Sequence, residues 1–190
     1  MIKLYFGKSS AGKDTFMKKA VVAGAIPIIS ATTRPPREGE IEGIDYYYKS
    51  DEKFKEMIEN NELIEYRKYT TTVGGHEAIW YYGTPVINGD IKNDTYVGVV
   101  DIDGVKSFLK HYNSEDIELI YVEVSDDDVR ETRARFRGSF DEIEWARRKV
   151  DDGEKFSTEN LKELANLYGK PITKILNNEK LTFSTIEPDK

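Results

Sequence analysis

Apolar runs rich in β-branched residues recur at Ile2–Phe6, Tyr96–Val100, Leu119–Val124 and Ile172–Leu176, with longer segments of helical or mixed character between them. Such runs are what parallel strands buried beneath crossover helices require. The pattern predicts an α/β fold. In the first run Ile2, Leu4 and Phe6 occupy alternating positions, and Phe16, Met17, Ala20 and Val21 follow at helical spacing. That spacing predicts a strand, a short loop and a helix. Near the other end, Leu161, Leu164, Ala165 and Leu167 mark an amphipathic helix that Gly169 and Pro171 close.

Between the first two runs the texture changes. Thr32-Thr33-Arg34-Pro35-Pro36-Arg37 leads through a Gly-containing stretch to Tyr46-Tyr47-Tyr48, and a Thr/Tyr-rich region follows. Phe54, Met57, Ile58 and then Leu63 suit a short helix capped by Ser50 or Asp51, with a strand resuming over 62–66. Gly74-Gly75 is placed to turn a hairpin, and His76 beside it is read as a solvated loop residue with no role. The segment predicts an inserted, partly β subdomain over 33–95. From Asp126 to Asp152 runs a charged helical arm containing Arg130, Arg133, Arg135, Arg137, Arg147 and Arg148, interrupted at Gly138-Ser139. Residues 1–32, 96–125 and 150–190 are left as the core, with 126–149 as a separate arm.

A chain of 190 residues suffices to bury a core without metal or disulfide support. With no cysteine and only two histidines, structural disulfides, thiolate metal sites and an all-His zinc site are excluded. The net charge of −7 disfavours nucleic acid as the main partner, although clustered basic residues can still form an anion site. The N-terminal stretch leads directly into a motif instead of a basic and apolar leader, and no 18-residue apolar run occurs. The expectation is a cytoplasmic protein without a membrane partner.

That motif is Gly7-Lys8-Ser9-Ser10-Ala11-Gly12-Lys13-Asp14-Thr15, which fits G-x-x-x-x-G-K with aspartate where serine or threonine normally stands. Its glycines allow backbone angles that let successive amides wrap a phosphate at a helix N-terminus, and Lys13 adds a point charge. Arg34 and Arg37 flank two prolines that stiffen the backbone, so two guanidinium forks can be held toward one small anion. Asp101 and Asp103 end an apolar run, at the edge of a parallel sheet where ligands bind, although aspartate is equally a turn residue there.

In order along the chain, GKSSAGKDT, TTRPPREGEIEGIDYYY, FKEMIENNELIEY, YYGT, VVDIDG, RARFRG and ARR resemble the guanylate kinase family. The resemblance implies a P-loop NTPase-like parallel sheet with a GMP-binding subdomain at 33–95 and a helical lid at 126–149. It implies ATP and Mg²⁺ as cofactors and GMP or dGMP as substrate. Gly7, Ser9, Ser10, Ala11, Gly12, Lys13, Asp14 and Thr15 would hold ATP, with Asn177 near adenine. Arg34, Arg37, Tyr46 and Tyr82 would grip the GMP phosphate through charge-assisted bonds. Glu65 would accept hydrogen bonds from N1–H and the 2-amino group of guanine, with Ser30 and Thr84 nearby and Asp103 close to the nucleotide. Adenine cannot match that donor pattern, and polar sites reject such ligands by ~10⁴ or more. Asp14 and Asp101 would serve the metal, while Lys13, Arg133, Arg137 and Arg148 would neutralise the transferring phosphoryl group.

The implied reaction is direct in-line transfer of the γ-phosphoryl group to GMP, without a covalent intermediate or general base, inside flaps that close against water. Two other functions stay open: a kinase for another nucleoside monophosphate, and a guanylate-kinase-like module that binds phosphorylated peptides without catalysis. Three features depart from the family pattern. At Asp14 direct metal ligation, action through water with Thr15 on the α-phosphate side, and reduced activity all stay open. Residues 70–80 run longer than usual, which leaves the register of Tyr81 and Tyr82 open, and the tail after Leu181 is atypical.

Overall fold

The run Ile2–Phe6 forms strand β1, in which Ile2, Leu4 and Phe6 are wholly buried and Tyr5 nearly so, as a strand covered on both faces demands. The computed structural model describes residues 1–73, 76–136, 140–178 and 180–189. After β1 come α1 (Lys13–Val22), β2 (Ile26–Pro27), β3 (Ala31–Thr32), β4 (Tyr47–Tyr48), α2 (Asp51–Glu59), β5 (Leu63–Val73) and β6 (His76–Pro85). They are followed by β7 (Tyr96–Val99), α3 (Ile102–His111), β8 (Ile117–Glu123), α4 (Asp127–Arg135), α5 (Glu142–Lys155), α6 (Thr158–Tyr168), β9 (Ile172–Asn177) and β10 (Leu181–Ile186). The chain divides into two compact units, one of residues 1–26 with 91–190 and the other of residues 27–90.

The first unit is built on a sheet of order β10-β9-β8-β1-β7-β2. β1 lies parallel to both β7 and β8, and β8 parallel to β9. The four predicted apolar runs are these four parallel strands. The segment after Leu181 forms β10, which pairs antiparallel with β9, an element that the apolar pattern did not single out because five of its six residues are exposed. Tyr5, Val97, Ile120, Val122 and Ile175 form a core against which Phe16, Met17, Ala20 and Val21 of α1 pack, as their spacing predicts.

Helices here begin where a short polar side chain can take an orphan amide. Asp101, Asp126, Asp141 and Ser157 cap α3, α4, α5 and α6. On α6 the buried positions are Leu161, Leu164, Ala165 and Tyr168, whereas Leu167 is 57% exposed. The helical stripe therefore continues through Tyr168, whose hydroxyl donates to Ile117 O at 2.5 Å, and not through the leucine expected there. Gly169, at φ 73, closes the helix as expected.

The second unit carries a sheet of order β4-β3-β6-β5. Ala31 and Thr32, expected in the core, pair with Gly83 and Tyr82 of β6, so the contact boundary falls between Ile26 and Pro27. The other falls between Asp90 and Ile91, and α4 and α5 group with the first unit. Ser50 caps α2, accepting from Lys53 N at 3.2 Å. Leu63 opens β5, within the strand expected over 62–66, and Asn61 at φ 55 turns the chain just after the helix end. The long stretch at 70–80 is accommodated by lengthening the β5–β6 ladder, which reaches Val73 and His76; Gly74 and Gly75, the expected turn, lie outside the described residues, as does the His76 side chain.

Phe54 is the keystone of this small core, wholly buried beside Ala31 and Met57 with the Tyr81 ring 5.5 Å away. Phe54→Ala is expected to destabilise the second unit by about 3–5 kcal/mol. Urea denaturation resolved by hydrogen exchange over residues 27–90 measures it, and a loss below about 1 kcal/mol would show that this cluster does not hold the unit.

Candidate functional site

The loop between β1 and α1 has the conformation a phosphate cradle needs. Gly7 sits at φ 144, and a Cβ there would lie 2.2 Å from Val122 O on β8, so the neighbouring strand excludes any side chain. Gly12, at φ 98, is the N-cap of α1, and a Cβ would meet Asn177 Nδ2 at 2.5 Å. Unlike α2 to α6, α1 has no side-chain cap. An uncapped helix start behind a glycine loop is a seat for an anion. Lys13 Nζ donates to Gly7 O and Lys8 O at 2.9 Å each, which holds its charge across the loop. Asp14 and Thr15 occupy the exposed first turn of α1.

Three elements brace this loop from outside. Arg130 of α4 donates through Nε to Ser9 O at 2.8 Å, and Asp152 of α5 accepts from Ser9 N at 2.8 Å. The same two side chains are ion-paired to each other, and Arg130 also reaches Asp127 at 2.5 Å. On the next part of the loop, Arg133 donates to Ala11 O at 3.4 Å and to Asn177 O at 2.9 Å, while Asn177 Nδ2 donates to Ala11 O at 2.7 Å. Asn177, expected beside adenine, and Ser9, expected among the ATP contacts, both take part in the loop's own support, through the Asn177 side chain and the Ser9 main chain. Arg148 bonds Glu144 on the exposed face of α5, 2.7 Å away, and Arg135 and Arg147 are likewise ion-paired along their helices. Arg137 lies outside the described residues.

Of the two aspartates after β7, Asp101 accepts from Gly104 N at 2.9 Å and so starts α3, and Asp103 is exposed on its first turn. Asp103 belongs to the first unit, whereas the other residues expected around the base belong to the second. Among the described residues no three acidic or imidazole side chains gather as a metal cage.

In the second unit Arg34 is buried to 3% exposure although it is charged. Its Nη2 donates to both oxygens of Glu40, at 2.8 and 2.9 Å, and Nη1 donates to Pro35 O at 2.7 Å. Glu40 also accepts from Arg37 N at 2.7 Å and from the Tyr48 hydroxyl at 2.8 Å. The Arg37 side chain remains exposed. Tyr46 lies under the Arg34 guanidinium at 5.4 Å, and the Tyr82 ring is 6.0 Å from that of Tyr46. The period-2 alternation of β6 places Tyr82 in this cluster and Tyr81 on Phe54. The Arg37 N–H, against an opposing desolvation, and then the Tyr48 hydroxyl and Arg34 hold Glu40 down at about 2. Desolvation, the hydrogen bond to Glu40 and its charge push Tyr48 up to about 12.

Beside this cluster in sequence, Glu65 and Thr84 are register partners across β5 and β6, and Thr84 Oγ1 donates to Glu65 Oε1 at 2.7 Å. Arg67 Nε stands 3.8 Å from the other oxygen of Glu65. Thr84 is buried, and Ser30 carries its carbonyl to Tyr47 N at 2.9 Å. The structure thus joins Glu65 with Thr84, and Arg34 with Tyr46 and Tyr82. Sequence reasoning missed Glu40 as the partner of Arg34 and Tyr48 as a donor to Glu40. Glu40 lies three residues after Arg37 across a turn closed by Glu40 N on Arg37 O and centred near Gly39 at φ 84, a spacing that was there to be read.

The family model of guanylate kinase matches residues 4–157. A guanylate kinase of Lactobacillus acidophilus is 40% identical over 109 residues, which are 53% of this chain and 48% of that protein. One from Mycoplasmoides gallisepticum is 34% identical over 116 residues, 58% of this chain and 55% of that protein. One from Prochlorococcus marinus is 37% identical over 138 residues and 70% of each chain. The chain spans about half the length of the first two relatives. The crystal structure of a guanylate kinase from Anaplasma phagocytophilum superposes with a TM-score of 0.53 at 22% identity, covering 83% of this chain and 73% of that one, which shows the shared fold.

Because Glu40 titrates below the ordinary 4.5, its bonds stabilise the fold fully above that pH, and their contribution drains away as the pH falls toward 2. Glu40→Gln is expected to be less stable than the parent at pH 7, with the gap narrowing between pH 4.5 and 2. Urea midpoints at pH 7, 4.5 and 3 measure this, and a gap independent of pH would show that the carboxylate charge is not what Arg34 and Arg37 hold.

Proposed function

This chain belongs to the guanylate kinase family, and on that premise we propose that it catalyses reversible transfer of the γ-phosphoryl group of ATP to GMP or dGMP. Two anion seats in one chain carry this assignment: the Lys13 loop at the uncapped start of α1, and the buried Arg34 guanidinium, whose Nη2 already bonds a carboxylate. The first suits a nucleoside triphosphate, the second a monophosphate. In the proposed site Gly7 to Thr15 receive ATP. Arg34, Arg37, Tyr46 and Tyr82 take the acceptor phosphate. Displacement of Glu40 by that phosphate would exchange one oxyanion for another on the same donors. Glu65, steadied by Thr84, reads the N1–H and 2-amino edge of guanine, with Ser30 and Asp103 as further candidates.

The acceptor phosphate already carries a nucleophilic oxygen, so no residue need remove a proton. Lys13, Arg133, Arg137 and Arg148 would neutralise charge on the moving phosphoryl group, which is the chief demand of such a reaction. A magnesium ion held with a nucleotide needs only one or two protein carboxylates and takes its other ligands from water and phosphate. Asp14 on the exposed first turn of α1 fits that sparse demand, and Asp101 is the second candidate. Bound there, the ion would supply further charge neutralisation. No helix among the described residues is long and apolar enough to cross a membrane, and we place the reaction in the cytoplasm, within purine nucleotide metabolism.

A coupled assay of ADP release over ribo- and deoxyribonucleoside monophosphates, with Mg²⁺ present, tests the assignment. Activity confined to GMP and dGMP is expected. Equal rates on AMP, CMP, UMP and GMP would overturn guanine recognition, and binding of nucleotide without turnover would point to a non-catalytic module. Lys13→Ala should lower kcat by about 10²–10³. Arg34→Lys, which keeps charge but loses the fork, should raise the KM for GMP about tenfold or more while leaving that for ATP within twofold.

A further inference from the structure

We infer that the buried Arg130–Asp152 pair is a positioning device for the phosphate loop, and that it sets the affinity for ATP without touching the nucleotide. The inference rests on the ATP reading above. Both members end on one loop residue: Arg130 Nε donates to Ser9 O and Asp152 Oδ2 accepts from Ser9 N, each at 2.8 Å. The N–H belongs to the Lys8–Ser9 peptide and the carbonyl to the Ser9–Ser10 peptide. Holding both fixes the rotation of two consecutive peptide planes. The next residue, Ser10, has φ 58, a left-handed conformation that a non-glycine residue keeps only when its surroundings impose it. The orientation of the following amides, through which a phosphate would be held, is inherited from that clamp.

The setting of the pair argues for orientation over stability. Arg130 is wholly buried and Asp152 is 7% exposed, and they come from α4 and α5. Arg130 also bonds Asp127, and its guanidinium lies 5.4 Å from the centre of the Trp145 ring. A buried ion pair is often no more stabilising than apolar residues of the same volume, so what it adds is direction. Apolar side chains filling the same space could hold α4 against α5. They could not grip an N–H and a carbonyl of the loop at once.

The test compares the parent with the double variant Arg130→Met with Asp152→Leu, which refills the volume, and with the singles Asp152→Asn and Asp152→Ala. ATP affinity is read by titration calorimetry, the KM for GMP by the coupled assay, and exchange of the Ser9 and Ser10 amides by hydrogen exchange without nucleotide. The double variant is expected to melt within a few degrees of the parent, to bind ATP about tenfold more weakly and to keep its KM for GMP within twofold. Asp152→Asn, whose amide oxygen can still accept from Ser9 N–H, should bind ATP several-fold more tightly than Asp152→Ala. A folded double variant with parental ATP affinity and parental amide exchange would overturn the inference. So would equal ATP affinities for the two single variants if the double variant does not fold. A parent that binds no ATP refutes the ATP reading, and with it the affinity role. In that case faster Ser9 exchange in the variants would still support the clamp, and unchanged exchange would overturn that too.

Discussion

The first unit is organised around holding one short piece of main chain, Gly7 to Lys13, in a shape that an unsupported peptide does not keep. Left-handed or otherwise unusual angles at Gly7, Ser10 and Gly12 turn the backbone, and each is imposed from outside. Val122 leaves no room for a side chain at Gly7, the Arg130–Asp152 pair fixes Ser9, and Asn177 with Arg133 fixes Ala11. Such bracing converts ordering entropy lost on binding into order already present in the protein. An anion arriving at the start of α1 then meets donors that need not reorganise, which is the condition under which fixed dipoles act most strongly.

The second unit solves a related problem by different means. A buried arginine without a counter-charge is strongly disfavoured, and Arg34 is nearly inaccessible to water. Glu40 resolves this by accepting from Nη2 with both oxygens while Nη1 bonds Pro35 O, and the Arg37 N–H and Tyr48 hydroxyl also donate to Glu40. The cluster around Arg34 is thereby charge-balanced within the unit itself. An incoming monophosphate would have to offer the donors more than Glu40 does, which favours a dianion with three oxygens over a carboxylate with two.

Much of this was legible along the chain because it depends on local rules. The four parallel strands declared themselves as apolar runs, and α1 as a stripe of Phe16, Met17, Ala20 and Val21. The phosphate loop announced itself through two glycines and a lysine. The misreadings also have local causes. Tyr168 continues the stripe of Leu161, Leu164 and Ala165 at helical spacing, whereas Leu167 stands well off that face, so the stripe itself excluded the leucine. The exposed edge strand β10, only six residues with five of them exposed, was not singled out.

The α/β class and the place of the glycine-rich loop between β1 and α1 were legible along the chain. Those features follow from residue type and spacing over a few positions. Tertiary structure alone decided which charged groups meet. Arg130 and Asp152 are 22 residues apart and both are well over a hundred from Ser9, and Asn177 is 166 from Ala11. Contacts of that range leave no periodic trace, since each partner taken singly reads as an ordinary surface charge or turn residue. It is the crossing of separate elements, with water removed between them, that turns those residues into a clamp.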